Sequence, residues 1–418
     1  NPYLLCDPDV GVDFAQADEI FMRRGKADDV RRLKAGIKFV LVHNLDNGHT
    51  CLPAERLLPA AAGILGESDA MPDALDELVR QHELEEYYRA GRRFIYLPDL
   101  FEAETAAAGR LRMMLHDLCE DSDATLNRSI ELLEEELGIE YDSLQKKALR
   151  EAVRNHVFVL TGGPGTGKTT TLNALIRLLE QQGDTVMLAA PTGRAAKRLT
   201  ELTGREAKTI HRLLEVDYTS DEMHPVFRKN EKNPLKCNTL IVDEMSMVDS
   251  VLFDSLLRAL SFSCRLIMVG DSDQLPSVGP GNVLHDLLSS DILPSVTLTT
   301  IFRQAAESMI VTSAHDIVNG EYPYLECKDN DFFFMPRKSE AECAATVCQL
   351  CEKRLPKAYD LSPMWDIQVL CPGKRGEAGT WGLNIALQKA LNPPEKGKKE
   401  HTQNGHLFRE GDKVMQVR

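Results

Sequence analysis

The octet Gly162-Gly163-Pro164-Gly165-Thr166-Gly167-Lys168-Thr169 constrains the fold of this chain more than any other feature. It fits the pattern G-x4-G-K-[ST] and stands where that pattern requires, after the apolar run VFVLT (157–161) and ahead of a helical segment. Its glycines let successive backbone N–H groups turn inward on an anion, Lys168 adds a mobile cation, and the Thr169 hydroxyl can ligate a divalent metal. Gly163, Pro164, Gly165, Thr166, Gly167, Lys168, Thr169 and Thr170 are therefore the candidate cradle for nucleotide phosphates.

A strand, loop and helix of this kind need a sheet around them. From Tyr141 onward short apolar runs alternate with helical ones: VFVLT, VMLAA (186–190), TLIVDE (239–244) and RLIMVGD (265–271) read as strands of a doubly wound parallel sheet in an α/β domain. A nucleotide site also needs a second magnesium anchor, which LIVDE supplies. Asp243 can reach the metal through water, and Glu244 is placed to orient and deprotonate the attacking water. RLIMVGD runs into Asp271-Ser272-Asp273-Gln274, bringing a neutral amide to the γ-phosphate side. Arg303, in LTTIFRQ, follows another strand-like run, where an arginine can stabilise the charge of a transferred phosphoryl.

Outside this block, residues 1–125 read as mainly helical, with a tight turn and helix start in VGVDFAQADEIF (10–21) and a passage from a helix to a strand and an Asn-Gly turn in 31–53. After about residue 305 a less regular α/β part includes a strand at DIQVLCP (366–372), a Gly/Lys-rich loop PPEKGKKEHTQNG (393–405) and the strand-like ending FREGDKVMQVR. The expected domains are 1–125, 126–304 and 305–418, in keeping with a chain of 418 residues.

Composition narrows the class. With 43% hydrophobic and 27% charged residues the chain is neither disordered nor a small disulfide scaffold. No apolar run approaches the roughly 18 residues of a membrane span, so a cytoplasmic protein without membrane partners is expected. Ten irregularly spread cysteines are expected as reduced thiols. Cys343, Cys348 and Cys351 match an iron–sulfur spacing, but AECAATVCQLCEKRL reads better as an amphipathic helix with Cys348 and Cys351 on its apolar stripe.

Net charge is −15, which argues against bulk attraction to nucleic acid, yet its distribution is uneven. Segment 117–142 holds ten carboxylates against Arg128, whereas 191–212 holds Arg194, Lys197, Arg198, Arg205, Lys208 and Arg212 against Glu201 and Glu206. Screening beyond about 8 Å lets such a stripe hold a phosphate backbone on an acidic protein. A solvated helix face is the other reading of the same stripe.

The ordered set Gln145, GGPGTGKTT, APTGRAAKRL, TIHRLL, VDEMSMVD, GDSDQLPSVGPGNVL and LTTIFRQ resembles the motifs of superfamily 1 helicases, specifically the RecD/TraA family of RecD-like DNA helicases. The likeness is dense over 141–304. NPYLLCDPDVGVDFAQADEIF resembles the end of that family's helix-hairpin-helix region, and the segments 369–393 and 408–416 resemble its second motor domain and the start of an SH3-like insertion. The resemblance implies a P-loop RecA-like motor domain, preceded by a mainly helical domain and followed by part of a second RecA-like domain, with ATP and Mg²⁺ as cofactors. It implies that Gln145 reads the adenine edge, that Thr169 and Asp243 hold the metal, that Gln274 senses the γ-phosphate and that Arg303 contacts it from the domain cleft. Pro191, Thr192, Gly193 and His211 would touch single-stranded DNA.

Family members move 5′ to 3′ along that strand, which implies work at single-strand/double-strand junctions in recombination or repair, alongside repair or single-strand-binding proteins. The insertion 216–234 would be a small hairpin acting as a wedge. Asp13 departs from the family's glycine-hydrophobic-glycine hairpin, and the last family motifs are not found before Arg418, which suggests a fragment. Two other readings stay open: an ATP-binding, DNA-gripping regulatory subunit of a larger nuclease complex, and the motor part of a conjugative relaxase. The latter lacks support from the scattered histidines.

Overall fold

A computed structural model describes residues 1–6, 10–23, 25–115, 123–217, 226–326 and 330–414, in two units, Asn1–Tyr324 and Leu325–Arg418. The helices that open the first unit start at carboxylate caps. Asp13 accepts from Ala15 N–H at 3.2 Å ahead of helix Phe14–Met22, and Asp29 accepts from Arg31 N–H at 3.0 Å ahead of helix Val30–Leu45. Asp13, where the family pattern has glycine, thus serves the fold as a cap. With helices Ala54–Leu65 and Met71–Arg80, these segments bury Phe14, Leu33, Ile37, Leu57 and Leu75 in one core. The region also holds a small antiparallel sheet, in which β1 (Cys51–Pro53) and β2 (Glu85–Arg89) flank β3 (Arg92–Tyr96).

The central sheet is built from β4 (Val157–Gly162), β5 (Val186–Ala190), β6 (Ala207–Thr209), β9 (Thr239–Val242), β10 (Arg265–Gly270) and β11 (Ser295–Leu298), in the order β11-β4-β10-β9-β5-β6. Between β6 and β9 a hairpin of β7 (Val216–Asp217) and β8 (Val226–Phe227) is inserted, and its tip, 218–225, lies outside the described residues. Strands β4, β9 and β10 are buried along their whole length, which is why they read as unbroken apolar runs. Their alternate residues feed two cores: Val159, Leu240 and Met268 on one face, Phe158, Ile241 and Ile267 on the other. Every pairing in this sheet is parallel, so all six strands end at one edge. In such sheets ligands bind outside the carboxyl ends of the strands. Helix Met309–Val318 still belongs to this unit, beyond the boundary expected at 304.

In the second unit, helices Glu340–Gln349, Leu355–Tyr359 and Thr380–Leu391 accompany the hairpin of β12 (Glu400–Gln403) and β13 (His406–Arg409). Two expectations are corrected here. DIQVLCP (366–372) is not a strand: no described strand lies beside it, and Leu370 is 87% exposed. A lone extended segment has no ladder to hold it. The stretch 393–405 is not loop throughout, because β12 occupies 400–403 and the Asn404-Gly405 turn, with φ of 50° and 78°, closes a hairpin. Cys343 and Cys348 lie on helix Glu340–Gln349, and Cys351 is buried in the helical turn that follows. The end of FREGDKVMQVR, 415–418, falls outside the described residues.

Candidate nucleotide and DNA site

β4 delivers the chain to the glycine loop, where Gly162, Gly165 and Gly167 take φ of 154°, 75° and 84°. The latter two lie in the left-handed region that side chains enter only under strain. Gly167 caps helix Lys168–Gln181 without any side-chain hydrogen bond, which leaves the helix N-terminus open to an anion. Lys168 Nζ donates to Gly162 O and, at 2.9 Å, to Gly163 O, while Thr166 Oγ1 donates to Gly163 O at 2.8 Å. Burial pushes the Lys168 ammonium down from its ordinary pKa, against the opposing pull of Asp271, Glu244, Asp243 and Asp273. Thr169 is exposed in the first helical turn, with Thr170 beside it.

Gln145 is 1% exposed and belongs to a capping box. Its N–H donates to Asp142 Oδ1 at 2.8 Å, its Oε1 accepts from Asp142 N–H at 3.1 Å, and its Nε2 donates to Gly167 O at 3.4 Å. The amide expected at an adenine edge is thus tied to the last glycine of the loop.

Asp243 and Glu244 leave the end of β9. Burial pushes the Asp243 carboxyl up to about 6, although the Glu244 backbone N–H donates to it. Glu244 itself has φ 55° and ψ 43°, a left-handed conformation that costs a non-glycine residue roughly 1–2 kcal/mol. Asp271, buried after β10, accepts from Asp273 N–H at 3.1 Å and from Gln274 Nε2 at 3.4 Å, so Gln274 is held at the edge by its neighbour. The buried hydroxyls of Thr161, near the end of β4, and of Ser246, two residues after Glu244, have no partner among the described residues. Among the described residues no three His, Cys, Asp or Glu side chains converge to hold a metal alone. Mg²⁺ takes one or two carboxylates and completes its shell with phosphate oxygens and water, a demand that a half-buried Asp243 without an ion-pair partner among the described residues, together with the exposed Thr169 hydroxyl, fits. Arg303 begins the short helix Arg303–Ala306, and its side chain lies outside the described residues.

The other flank of the same edge carries the DNA candidates. Pro191 follows β5. Thr192 caps helix Gly193–Thr203, its Oγ1 accepting from Ala195 N–H at 3.2 Å. Gly193 faces open space, and Arg194, Lys197 and Arg198 are exposed on that helix. His211, exposed just after β6, lies 6.1 Å ring to ring from Phe227 of the inserted hairpin.

Two residues that motif reading missed complete the loop's surroundings. The Phe302 N–H donates to Gly165 O at 3.3 Å, and His315 Nε2 lies 3.1 Å from Pro164 O. His315 lines a cleft of about 260 Å³ with Gly163, Pro164, Asp271, Asp273 and Gln274. Phe302 stands directly before Arg303 and was open to discovery there; His315 carries no local signal.

Residues 1–51 match the family model described as the ATP-dependent RecD2 DNA helicase HHH domain, and residues 145–280 match one described as an AAA domain. The ATP-dependent RecD2 DNA helicase of Deinococcus radiodurans is 34% identical over 98% of this chain. This chain belongs to the RecD-like family of DNA helicases. Among further relatives, the RecBCD enzyme subunit RecD of Mycobacterium tuberculosis is 41% identical over 34% of the RecD-like chain and 28% of its own length. The ATP-dependent DNA helicase dda of Enterobacteria phage T4 is 36% identical over 44% of the chain and 42% of its own length. The RecD-like chain spans 55% of the Deinococcus relative, about half its length.

Proposed function

We propose that this chain is the motor of an ATP-dependent DNA helicase that moves 5′ to 3′ on single-stranded DNA, acting at junctions in recombination or repair. The observation that carries the reading is the shared sheet edge: phosphate and acid residues follow β4, β9 and β10, and the DNA candidates follow β5 and β6. Lys168 and the loop N–H groups bind the β- and γ-phosphates of ATP. Asp243 and Thr169 would hold Mg²⁺, which when bound neutralises charge on the phosphate oxygens. Glu244 orients water and takes its proton, Gln274 reads the γ-phosphate from its tether on Asp271, and Arg303 stabilises the transferred charge. Pro191, Thr192, Gly193 and His211, with the adjacent basic helix, hold the strand backbone. Repair or single-strand-binding proteins are the expected partners and the cytoplasm the expected location; no helix among the described residues is long and apolar enough to cross a membrane.

The Mycobacterium relative is named as a subunit of a larger enzyme, which favours the second reading, an ATP-binding, DNA-gripping regulatory subunit of a larger nuclease complex. That likeness covers only a third of the chain, whereas the RecD2 likeness also takes in the first 51 residues and supports the motor. Single-turnover strand separation on substrates with a 5′ or a 3′ tail tests the proposal. ATP-dependent opening of the 5′-tailed substrate alone is expected, with Glu244→Gln retaining ATP unhydrolysed. Opening of the 3′-tailed substrate alone contradicts the direction, and opening of neither contradicts the motor.

A further inference from the structure

The carbonyl groups of the glycine loop are held from outside it. Pro164 O meets His315 Nε2 at 3.1 Å, Gly165 O accepts from Phe302 N–H at 3.3 Å, and Gly167 O accepts from Gln145 Nε2 at 3.4 Å. In a trans peptide the C=O and the N–H that follows point in opposite directions. Holding Pro164 O toward His315 therefore fixes the Gly165 N–H on the opposite side of that peptide, and the Phe302 contact does the same for the Thr166 N–H, while Gly167 O is also held by its own helix, accepting from Thr171 N–H at 3.0 Å. Pro164 has no N–H of its own, so the Pro164–Gly165 peptide supplies the next donor after Gly163. A carbonyl oxygen only accepts, so the contact requires the hydrogen on His315 Nε2.

Residues 302–315 also limit the loop sterically. A Cβ at Gly163 would meet His315 Cε1 at 2.6 Å, one at Gly165 would meet Ala305 Cβ at 2.5 Å, and one at Gly167 would meet Phe302 Cε2 at 2.7 Å. Three loop glycines thus answer to residues 302–315 as well as to any phosphate.

We infer that His315, which lies in none of the motifs, is a positioning residue of the phosphate loop: its Nε2–H fixes the Pro164–Gly165 peptide so that the loop meets nucleotide phosphates with its N–H groups already turned inward. The inference rests on the nucleotide reading above. It concerns preorganisation, in which ordering done in advance by the fold is not charged against binding.

Equilibrium binding of a fluorescent ADP analogue with Mg²⁺, measured on the 418-residue chain beside thermal melting, tests it in wild type, Lys168→Ala, His315→Ala and His315→Gln. Glutamine is the rescue variant because its amide N–H₂ reaches about as far as imidazole Nε2–H. His315→Ala is expected to weaken binding about five- to tenfold, the scale of one hydrogen bond, at an unchanged melting temperature, and His315→Gln to restore it. Unchanged affinity in His315→Ala, a loss that glutamine does not restore, or a fall in melting temperature large enough to explain the loss would overturn it. If wild type shows no Lys168-dependent binding, the nucleotide reading itself fails and takes this inference with it. Lys168-dependent binding that ignores His315 defeats the inference alone.

Discussion

Asp18 in the N-terminal helices and Asp243 at the sheet edge are both largely withdrawn from water, but the chain treats them in opposite ways. Asp18 accepts from Tyr3 Oη at 2.6 Å and from Arg32 Nε and Nη2 at 2.8 Å each, and Arg32 donates again to Leu65 O at 2.9 Å. The Arg32 hydrogen bonds hold the Asp18 carboxyl below the usual carboxylate range in spite of its burial. Asp243 forms no ion pair among the described residues, and burial lifts it to about 6. Glu244 in a left-handed conformation and the unpartnered hydroxyl of Ser246 lie close to it in the chain, and the unpartnered hydroxyl of Thr161 lies on β4, two strands away in the same sheet. At Asp18 the chain satisfies the carboxylate itself; at Asp243 it leaves the carboxylate short of partners, and enclosed polar groups left so are costly.

The largest expected effect separates the two regions by activity. Lys168→Ala lowers ATP turnover by about 10³ or more, because a transition-state cation contact is lost, while Asp18→Asn leaves turnover per folded molecule unchanged. Steady-state hydrolysis, normalised to folded protein, checks both.

Next comes stability. Asp18→Asn is expected to lower unfolding free energy by about 2–3 kcal/mol at pH 7, somewhat less than a fully buried broken pair, since Asp18 keeps some contact with water. The sign with pH follows from a depressed folded pKa. The contribution is fully present above the unfolded value near 3.9 and is lost as pH falls through the lower folded value, so wild type and Asp18→Asn converge in acid. Denaturant titrations from about pH 3 to 7 show it.

A smaller effect concerns strain. Glu244→Gly releases the left-handed backbone and is expected to raise stability by about 0.5–1 kcal/mol, after allowance for glycine's looser unfolded state, while turnover is lost. A destabilised Glu244→Gly would show that Glu244 is a structural residue.

The legible parts of this molecule are those whose cause is local. β4, β9 and β10 could be read because strands buried on both faces appear as continuous apolar runs, each ending in glycine or acid. The nucleotide cradle could be read because its function demands particular residues at fixed spacing. DIQVLCP misled because a short, largely apolar run says nothing of a neighbour to pair with. The hairpin in 393–405 was legible in its Asn404-Gly405 turn, and the local duty of Gln145 in the spacing Asp142-Ser143-Leu144-Gln145, which is a capping box. His315 could not be found this way, since its contact spans 151 residues of sequence and arises only when the 302–318 segment packs against the loop.

If the sheet edge gives up stability to stay open for a metal-bound nucleotide, Asp243→Asn exposes the trade. Thermal unfolding of wild type and Asp243→Asn is followed from about pH 4 to 8, with and without Mg²⁺-nucleotide. With a folded pKa of about 6 above an unfolded value near 3.9, the wild-type carboxyl costs stability as pH rises through that window, and the full cost persists above it. Asp243→Asn should therefore be the more stable protein at pH 7, by about 1–3 kcal/mol, with the advantage shrinking toward pH 4. It should also lose most of the stabilisation that Mg²⁺-nucleotide gives wild type. An Asp243→Asn protein that unfolds more easily than wild type at pH 7, and still gains the full stabilisation from Mg²⁺-nucleotide, would show that Asp243 serves the fold and not a metal-bound nucleotide.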